Sequence, residues 1–351
     1  MKTRTVKAYG AYAADQELAL LTIDRRPLQP DDIQVEILYC GVCHSDIHYV
    51  RNHWGGAHYP AVPGHEIVGR VLDVGAQVTQ FNIGDVVGVG VIVDSCQACT
   101  ACQEGAEQYC DRHPIKTYGS PDRYTGGYTY GGYAQRITVR ERFVFRIPQN
   151  LDISKVGPLL CAGITTYSPL KKWDVKAGDK VGVIGLGGLG HMGIKLAKAM
   201  GAEVTMITRS PDKAEDAKLL GADHVLFSTD HKAMREKASH FDFLLDTIPV
   251  NHDVNPYLRL LKYDSTLALV GAIEPLTSVD GSLLIRLGRR LVGSMIGGVE
   301  ETQEMLDFCG KHNVLPEVEM ISIQEINEAW ERVVKGDVKY RFVIDMKSLK
   351  E

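Results

Sequence analysis

Between Cys43 and Glu66 the chain concentrates groups that can bind a metal or move protons. Cys40-Gly41-Val42-Cys43-His44-Ser45-Asp46-Ile47-His48 sets thiols, a hydroxyl, a carboxylate and two imidazoles in one short run, and Gly64-His65-Glu66 adds another imidazole and carboxylate in a turn before apolar Ile67-Val68. Burying so many polar groups costs free energy unless they are bound to something. Cys43, His65 and Glu66 are candidate metal ligands, and Cys161 lies far downstream to close the set. Two thiolates and one imidazole suit zinc and leave one tetrahedral position open, which is the pattern of catalytic rather than structural zinc. Cys161 also fits a plain core role beside Leu159 and Leu160, because cysteine is often buried for packing alone.

A second set, Cys96-x2-Cys99-x2-Cys102-x7-Cys110, brings four thiols together at short spacing. Four thiolates close a tetrahedron and leave no open position, so the site they build is structural. An iron–sulfur cluster is the competing reading of such cysteines, with zinc preferred because no redox-partner motif accompanies them. Its expected job is to hold the lobe from Asp94 to Asp111, which has few apolar residues of its own.

Further on, the apolar run Lys180-Val181-Gly182-Val183-Ile184 leads into Gly185-Leu186-Gly187-Gly188-Leu189-Gly190 and then into a helical stretch, Met192 to Met200, closed by Gly201. A G-x-G-x-x-G loop acquires meaning from a strand before it and a helix after it, and both are present. Gly185 permits the tight turn, Gly187 lets backbone approach a pyrophosphate, and Gly190 allows close helix–strand contact. Strands are also predicted at 204–207, 225–227, 243–245, 267–270 and 291–293, giving the six of a doubly wound parallel sheet. At the end of the second strand an NAD enzyme places Asp or Glu to hold the ribose 2′-hydroxyl. Here that position is Thr208 or Arg209, followed by Ser210 and Lys213. Those side chains suit a 2′-phosphate, so the expected cofactor is NADP(H).

These groups need two frameworks to position them, and 351 residues are enough for two domains. Residues 1 to about 150 read as a β-rich, barrel-like domain, with alternation in Ile33-Gln34-Val35-Glu36-Ile37-Leu38-Tyr39 and an apolar run at Val86-Val87-Gly88-Val89. The tail predicts helices near 301–312 and from about Ile323, the latter opened by a Ser322/Glu325 capping box and ended by Gly336, then a strand over 340–344. With 39 basic against 44 acidic side chains the formal charge is −5, which gives no electrostatic footprint for nucleic acid. The basic N-terminus has no apolar segment behind it and no run reaches bilayer-spanning length, so neither export nor membrane insertion is expected and the predicted location is cytoplasmic. Thiolate metal ligation fits a reducing compartment better than disulfides do.

Gly64-His65-Glu66 with Gly69, Gly75 and Val78 following, Gly41 to Asp46, the Cys96–Cys110 cluster and Cys161-Ala162-Gly163-Ile164-Thr165-Thr166-Tyr167 carry a resemblance over nearly the whole chain. It resembles the zinc-dependent medium-chain alcohol dehydrogenases, in the cinnamyl-alcohol-dehydrogenase-like branch that includes bacterial broad-specificity aldehyde reductases. The resemblance implies an α/β protein with a GroES-like catalytic domain (residues 1–152 and 296–351) and a Rossmann NADP-binding domain (153–295). It implies two zinc ions per chain: a catalytic one on Cys43, His65 and Cys161, with Glu66 as an intermittent ligand or a nearby modulating charge, and a structural one on the four clustered cysteines. Asp46 is implied to orient His65, with a simple turn cap as its bland alternative. Ser45 and His48 are implied as a proton relay, His48 having a surface role as its competitor, and His44 is placed at the cofactor pyrophosphate. Thr165 is expected near the nicotinamide, Thr247 and Gly271 at the coenzyme crevice, and Ser294, Met295 and Ile296 by the nicotinamide ribose. Trp54, Tyr49, Ile92 and Met295 are candidate pocket residues. The implied reaction is reversible NADPH-linked reduction of aromatic and aliphatic aldehydes to primary alcohols, with zinc as Lewis acid, in a homodimer or higher homo-oligomer that meets along Leu283 to Ser294. A zinc polyol dehydrogenase, a zinc-free quinone reductase and a non-catalytic NADPH-binding protein each fit fewer of these residues.

Overall fold

A computed structural model describes residues 3–271 and 274–349. The chain divides into two compact units, Met1–Cys161 with Gly297–Glu351, and Ala162–Ile296. Helical character begins at Ile153, yet the first unit runs on to Cys161. The reason is packing: the turn Gly157–Leu160 lays Gly157 against the Glu66 carbonyl and Leu160 over Gly88 and Gly90 of that unit.

Unit Ala162–Ile296 is built on a six-stranded, wholly parallel sheet. In space its strands run His224–Phe227, Glu203–Thr208, Lys180–Ile184, Phe241–Asp246, Leu261–Leu269, Arg290–Gly293. Counted from Lys180–Ile184 as the first, this is the order 3-2-1-4-5-6 of a doubly wound dinucleotide fold. Helices cover both faces of such a sheet, so its inner strands are buried along almost their whole length, as Glu203–Thr208 is from its second residue on. Ile184, Ile207, Phe241, Leu244 and Leu267 form part of one apolar cluster on it. All six predicted strands are present.

The other unit is β-rich. Its main sheet runs Val318–Ser322, Arg341–Asp345, Asp32–Gly41, Ile67–Val74, Val86–Val89, Phe145–Arg146, and Arg136–Arg140 also pairs with Asp32–Gly41. Alternation in Asp32–Gly41 buries Ile33, Val35 and Ile37. The last strand returns to this unit, antiparallel to Asp32–Gly41 with Val343 opposite Gly41. Before it, the Ser322/Glu325 capping box closes as predicted, but on a single 3₁₀ turn, Ile323–Glu325. Helix Ile326–Lys335 continues from there and ends at Gly336, whose φ of 72° suits glycine.

Candidate metal centre and cofactor loop

Strand Asp32–Gly41 delivers Cys43 to the start of helix His44–Val50, where it is the N-terminal cap residue. Gly64, at φ 101°, turns the chain so that His65 and Glu66 precede strand Ile67–Val74, and Cys161 follows the turn Gly157–Leu160. Ligand-type atoms of Cys43, His65, Glu66 and Cys161 all lie within 4.8 Å of one another, and all four residues are buried. The two sulfurs are 3.9 Å apart. A hydrogen bond with Cys161 draws the Cys43 thiol well below its ordinary pKa against the effect of burial, with help from Arg341 and His65.

Asp46 is fully buried and accepts three hydrogen bonds, from the backbone N–H of Cys43 (2.9 Å), the backbone N–H of Gly64 (3.0 Å) and Nδ1 of His65 (3.1 Å). It is therefore a helix cap and an imidazole orienter together. Burial opposes charge on His65, but Asp46 and Cys43 raise it well above its usual pKa. With Nδ1 held by Asp46, Nε2 is the nitrogen left for a metal.

Glu66 pairs through Oε1 with the buried Arg341 guanidinium, while its Oε2 is buried without a partner. A Cβ at position 41 would overlap that Oε2, so Gly41 is the residue that makes room for the carboxylate. Burial pushes the Glu66 carboxyl up to about 7 against the pull of Arg341. Two thiols, an imidazole with its far nitrogen fixed and a carboxylate with one uncommitted oxygen form a donor set that fits zinc.

Along helix His44–Val50, His44 is exposed and Ser45 and His48 are half-buried. His48 Nδ1 lies 2.9 Å from His53 Nδ1, and its ring stacks on Trp54. Tyr49 packs against Tyr118, and Ile92 is a buried strand residue.

In the four-cysteine lobe, Cys99 caps the short helix Thr100–Gln103, Cys102 rides on it, and Cys110 closes the turn Glu107–Tyr109. These sulfurs and Cys96 also lie within 4.8 Å of one another. Backbone N–H groups of Ala98 and Cys99 lower the Cys96 thiol to about 6. Between Asp94 and Asp111 the only buried apolar side chains are Cys102 and Cys110. The lobe is tied to its unit by buried Glu107, which accepts from Arg142 Nη2 at 2.7 Å and from the Val299 N–H at 3.0 Å.

The glycine loop follows strand Lys180–Ile184 and opens helix Gly190–Ala199. Gly185 has φ 91°, a Cβ on Gly190 would overlap the Gly185 carbonyl, and a Cβ on Gly187 would meet nothing. Gly187 thus presents open backbone, flanked by Leu186, Gly188 and Leu189. The candidate cofactor residues gather where the parallel strands end. Thr208 closes strand Glu203–Thr208, with exposed Arg209 next and the Ser210 N–H donating to Thr208 Oγ1 at 3.1 Å. Lys213 reaches back to donate to the Leu186 carbonyl at 2.9 Å. Thr247 follows Phe241–Asp246 and its hydroxyl donates to the Ile184 carbonyl at 2.8 Å, so it fastens the loop. A Cβ on Gly271 would crowd the Thr247 carbonyl. Ser294 follows Arg290–Gly293 and donates its N–H to Leu269, half-exposed Met295 comes next, and Ile296 has φ 35°. Thr165 is buried on helix Ala162–Lys172.

Residues 29–149 match the alcohol dehydrogenase GroES-like domain and residues 188–311 the zinc-binding dehydrogenase domain. The chain is 54% identical over 347 residues to aldehyde reductase YahK of Escherichia coli, covering 98% of this chain and 99% of that one. It belongs to the zinc-binding alcohol dehydrogenases. Among solved structures of the family, a cinnamyl alcohol dehydrogenase of Sorghum bicolor matches with a TM-score of 0.94 at 42% identity, over 98% of both chains. That of Helicobacter pylori complexed with NADP(H) matches with a TM-score of 0.91 at 43% identity, over 99% of both.

Sequence reasoning missed several residues around the candidate metal centre of this alcohol dehydrogenase. Arg341 pairs with Glu66 across 275 positions, and no local pattern announces such a partner. Gly41 adjoins Cys43, but only the folded structure shows its Cβ space taken by Glu66. Tyr118, whose ring lies 5.6 Å from that of His65, carried no signal; His53 did, as a further imidazole just after the helix.

Proposed function

We propose that this alcohol dehydrogenase reduces aldehydes to primary alcohols with NADPH, reversibly, using one zinc at the Cys43–His65–Cys161 site and a second, structural zinc at the four cysteines. The observation that carries the reading is the convergence of Cys43, His65, Glu66 and Cys161 within 4.8 Å, directly before the helix that bears Ser45 and His48. Zinc, when bound, supplies Lewis acidity toward the carbonyl oxygen, and NADPH supplies the hydride. The chain's own residues do the rest: Asp46 fixes the His65 ring, the Ser45 hydroxyl passes a proton to the substrate oxygen, and His48 resupplies it from the solvent side. Glu66, already held by Arg341, acts as a nearby charge or transient ligand. A panel of aromatic and aliphatic aldehydes followed by NADPH absorbance, with zinc measured on the same sample, tests the reading. Absence of turnover across the panel by zinc-replete protein would overturn it.

Ser45→Ala is expected to slow turnover about 10²-fold or more, with NADPH affinity little changed. Single-turnover rates check this, and an unchanged chemical step would remove Ser45 from proton transfer. Asp46→Asn is expected to weaken metal binding at the first site roughly 10- to 100-fold, seen in competition with a chelator, while the four-cysteine site keeps its metal. Equal affinities would leave Asp46 only as a cap. Self-association is assigned to the edge strand Arg290–Gly293 and the preceding helix Gly281–Ile285, where Ile285 is 83% exposed. Light scattering of Ile285→Glu against the parent protein tests it, a shift toward monomer being the expected result.

A further inference from the structure

Strand Phe241–Asp246 ends on a fully buried carboxylate. Among the described residues no lysine or arginine lies within ion-pair distance of it. Its partner is His252, whose Nε2 lies 2.7 Å from Asp246 Oδ2 and whose side chain is 15% exposed. The other ring nitrogen, Nδ1, lies 2.9 Å from the Val250 carbonyl oxygen. Both neighbours can only accept, so a singly protonated imidazole would turn a lone pair on one of them. A ring carrying both protons satisfies both, and it neutralises a carboxylate otherwise buried without a counter-charge. Asp246 accordingly raises His252 above its ordinary pKa against the effect of burial, with the Val250 carbonyl and Asp253 adding to the rise. Tyr257, on helix Asn255–Leu258, packs against the ring with centroids 6.0 Å apart.

The pair closes a short loop. Asp246 Oδ1 accepts from the Ile248 N–H at 3.0 Å while Oδ2 takes His252, so one carboxylate holds both ends of the segment 247–252. Within that segment the Thr247 hydroxyl reaches the Ile184 and Gly185 carbonyls at 2.8 and 3.1 Å, at the turn of the glycine loop. A Cβ on Gly185 would meet both Thr247 and Ile248, so the loop is set directly against this segment. We propose that His252, as an imidazolium, is a positioning residue for the cofactor: by locking segment 247–252 it holds the glycine loop in the shape that binds the pyrophosphate. The inference rests on the NADP(H) reading of that loop. A site whose binding-competent form is only partly populated binds more weakly by that fraction. Because the proton is held above the ordinary imidazole value, the lock is complete below that value and is lost as pH rises through the raised one.

The test compares NADPH affinity of zinc-replete parent enzyme and His252→Gln, by fluorescence titration from about pH 6.5 to about pH 9. Glutamine keeps a neutral donor toward Asp246 and removes the charge. The parent is expected to bind about three- to tenfold more tightly than the variant at the lower end, with the ratio falling toward one at the upper end. Groups that titrate in both proteins cancel in that ratio. Asp246→Asn, which retains an acceptor for the Ile248 N–H, is expected to give the same pattern and serves where His252→Gln fails to fold. The NADH KM is expected to show the same ratio, because positioning the loop does not require a 2′-phosphate. A ratio that does not change with pH, a lowered melting temperature with unchanged cofactor affinity, or an effect confined to NADPH would each overturn the inference while leaving the cofactor reading in place. Failure of the parent to bind either cofactor would overturn both.

Discussion

Cys161→Ala is expected to reduce turnover by roughly 10³-fold or more while the protein stays folded and loses one of two zincs. The size follows from a Lewis acid contributing several kcal/mol to transition-state stabilisation, at about 1.4 kcal/mol per tenfold in rate. Structural damage is expected to be small, because the change deletes one sulfur atom and leaves the buried Leu159 and Leu160 in place. Cys99→Ala is expected to do the opposite. Its lobe buries no apolar side chain except two other cysteines, so a metal there substitutes for a core and its loss appears as reduced stability. Elemental analysis, thermal unfolding and steady-state kinetics on the two variants separate these outcomes. A single zinc in the parent protein, or ordinary turnover by Cys161→Ala, would reject the assignment.

Legibility in the sequence tracked the distance over which each feature is decided. The six parallel strands were readable because a doubly wound sheet imposes continuous apolar runs, and the glycine loop because three backbone constraints fall within six residues. The four-cysteine lobe was readable for the same local reason. Glu66 shows where reading stops. Its type and spacing marked it as a possible ligand, but its orientation depends on Arg341 from the last strand and on the missing Cβ of Gly41. By type and spacing Asp46 suits either a cap or an orienter, and the fold gives it both roles, because its two oxygens face the Cys43 and Gly64 amides and His65 at once. In sequence Lys213 offers positive charge for a phosphate, and in the fold it also holds the Leu186 carbonyl.

That last contact bears on cofactor choice, where NADPH is expected to be preferred over NADH by roughly two to four orders of magnitude. Strand Glu203–Thr208 lies beside Lys180–Ile184 with Ile207 opposite Ile184, and the Gly185 N–H donates to the Ile207 carbonyl at 3.0 Å. The strand therefore ends next to the glycine turn, and its last residue is Thr208. An acidic side chain there would accept from a ribose 2′-hydroxyl and repel a 2′-phosphate. Thr208 carries no charge to repel a phosphate, Arg209 beside it is exposed and has no ion-pair partner among the described residues, and Lys213 adds a cation on the same turn. Hydrogen bonds to a charged group contribute about 1.5–3 kcal/mol each, so two of them yield the stated range at about 1.4 kcal/mol per tenfold. Thr208→Asp with Arg209→Ile is expected to reverse much of the preference. An aspartate at 208 retains an acceptor for the Ser210 N–H, which Thr208 Oγ1 now takes at 3.1 Å, so the turn survives the change. Catalytic efficiency with each cofactor at one fixed aldehyde is the measurement, and raised salt is expected to narrow the gap by screening the exposed arginine. Equal efficiencies in the parent enzyme, or a double variant that still favours NADPH as strongly, would show that discrimination lies elsewhere.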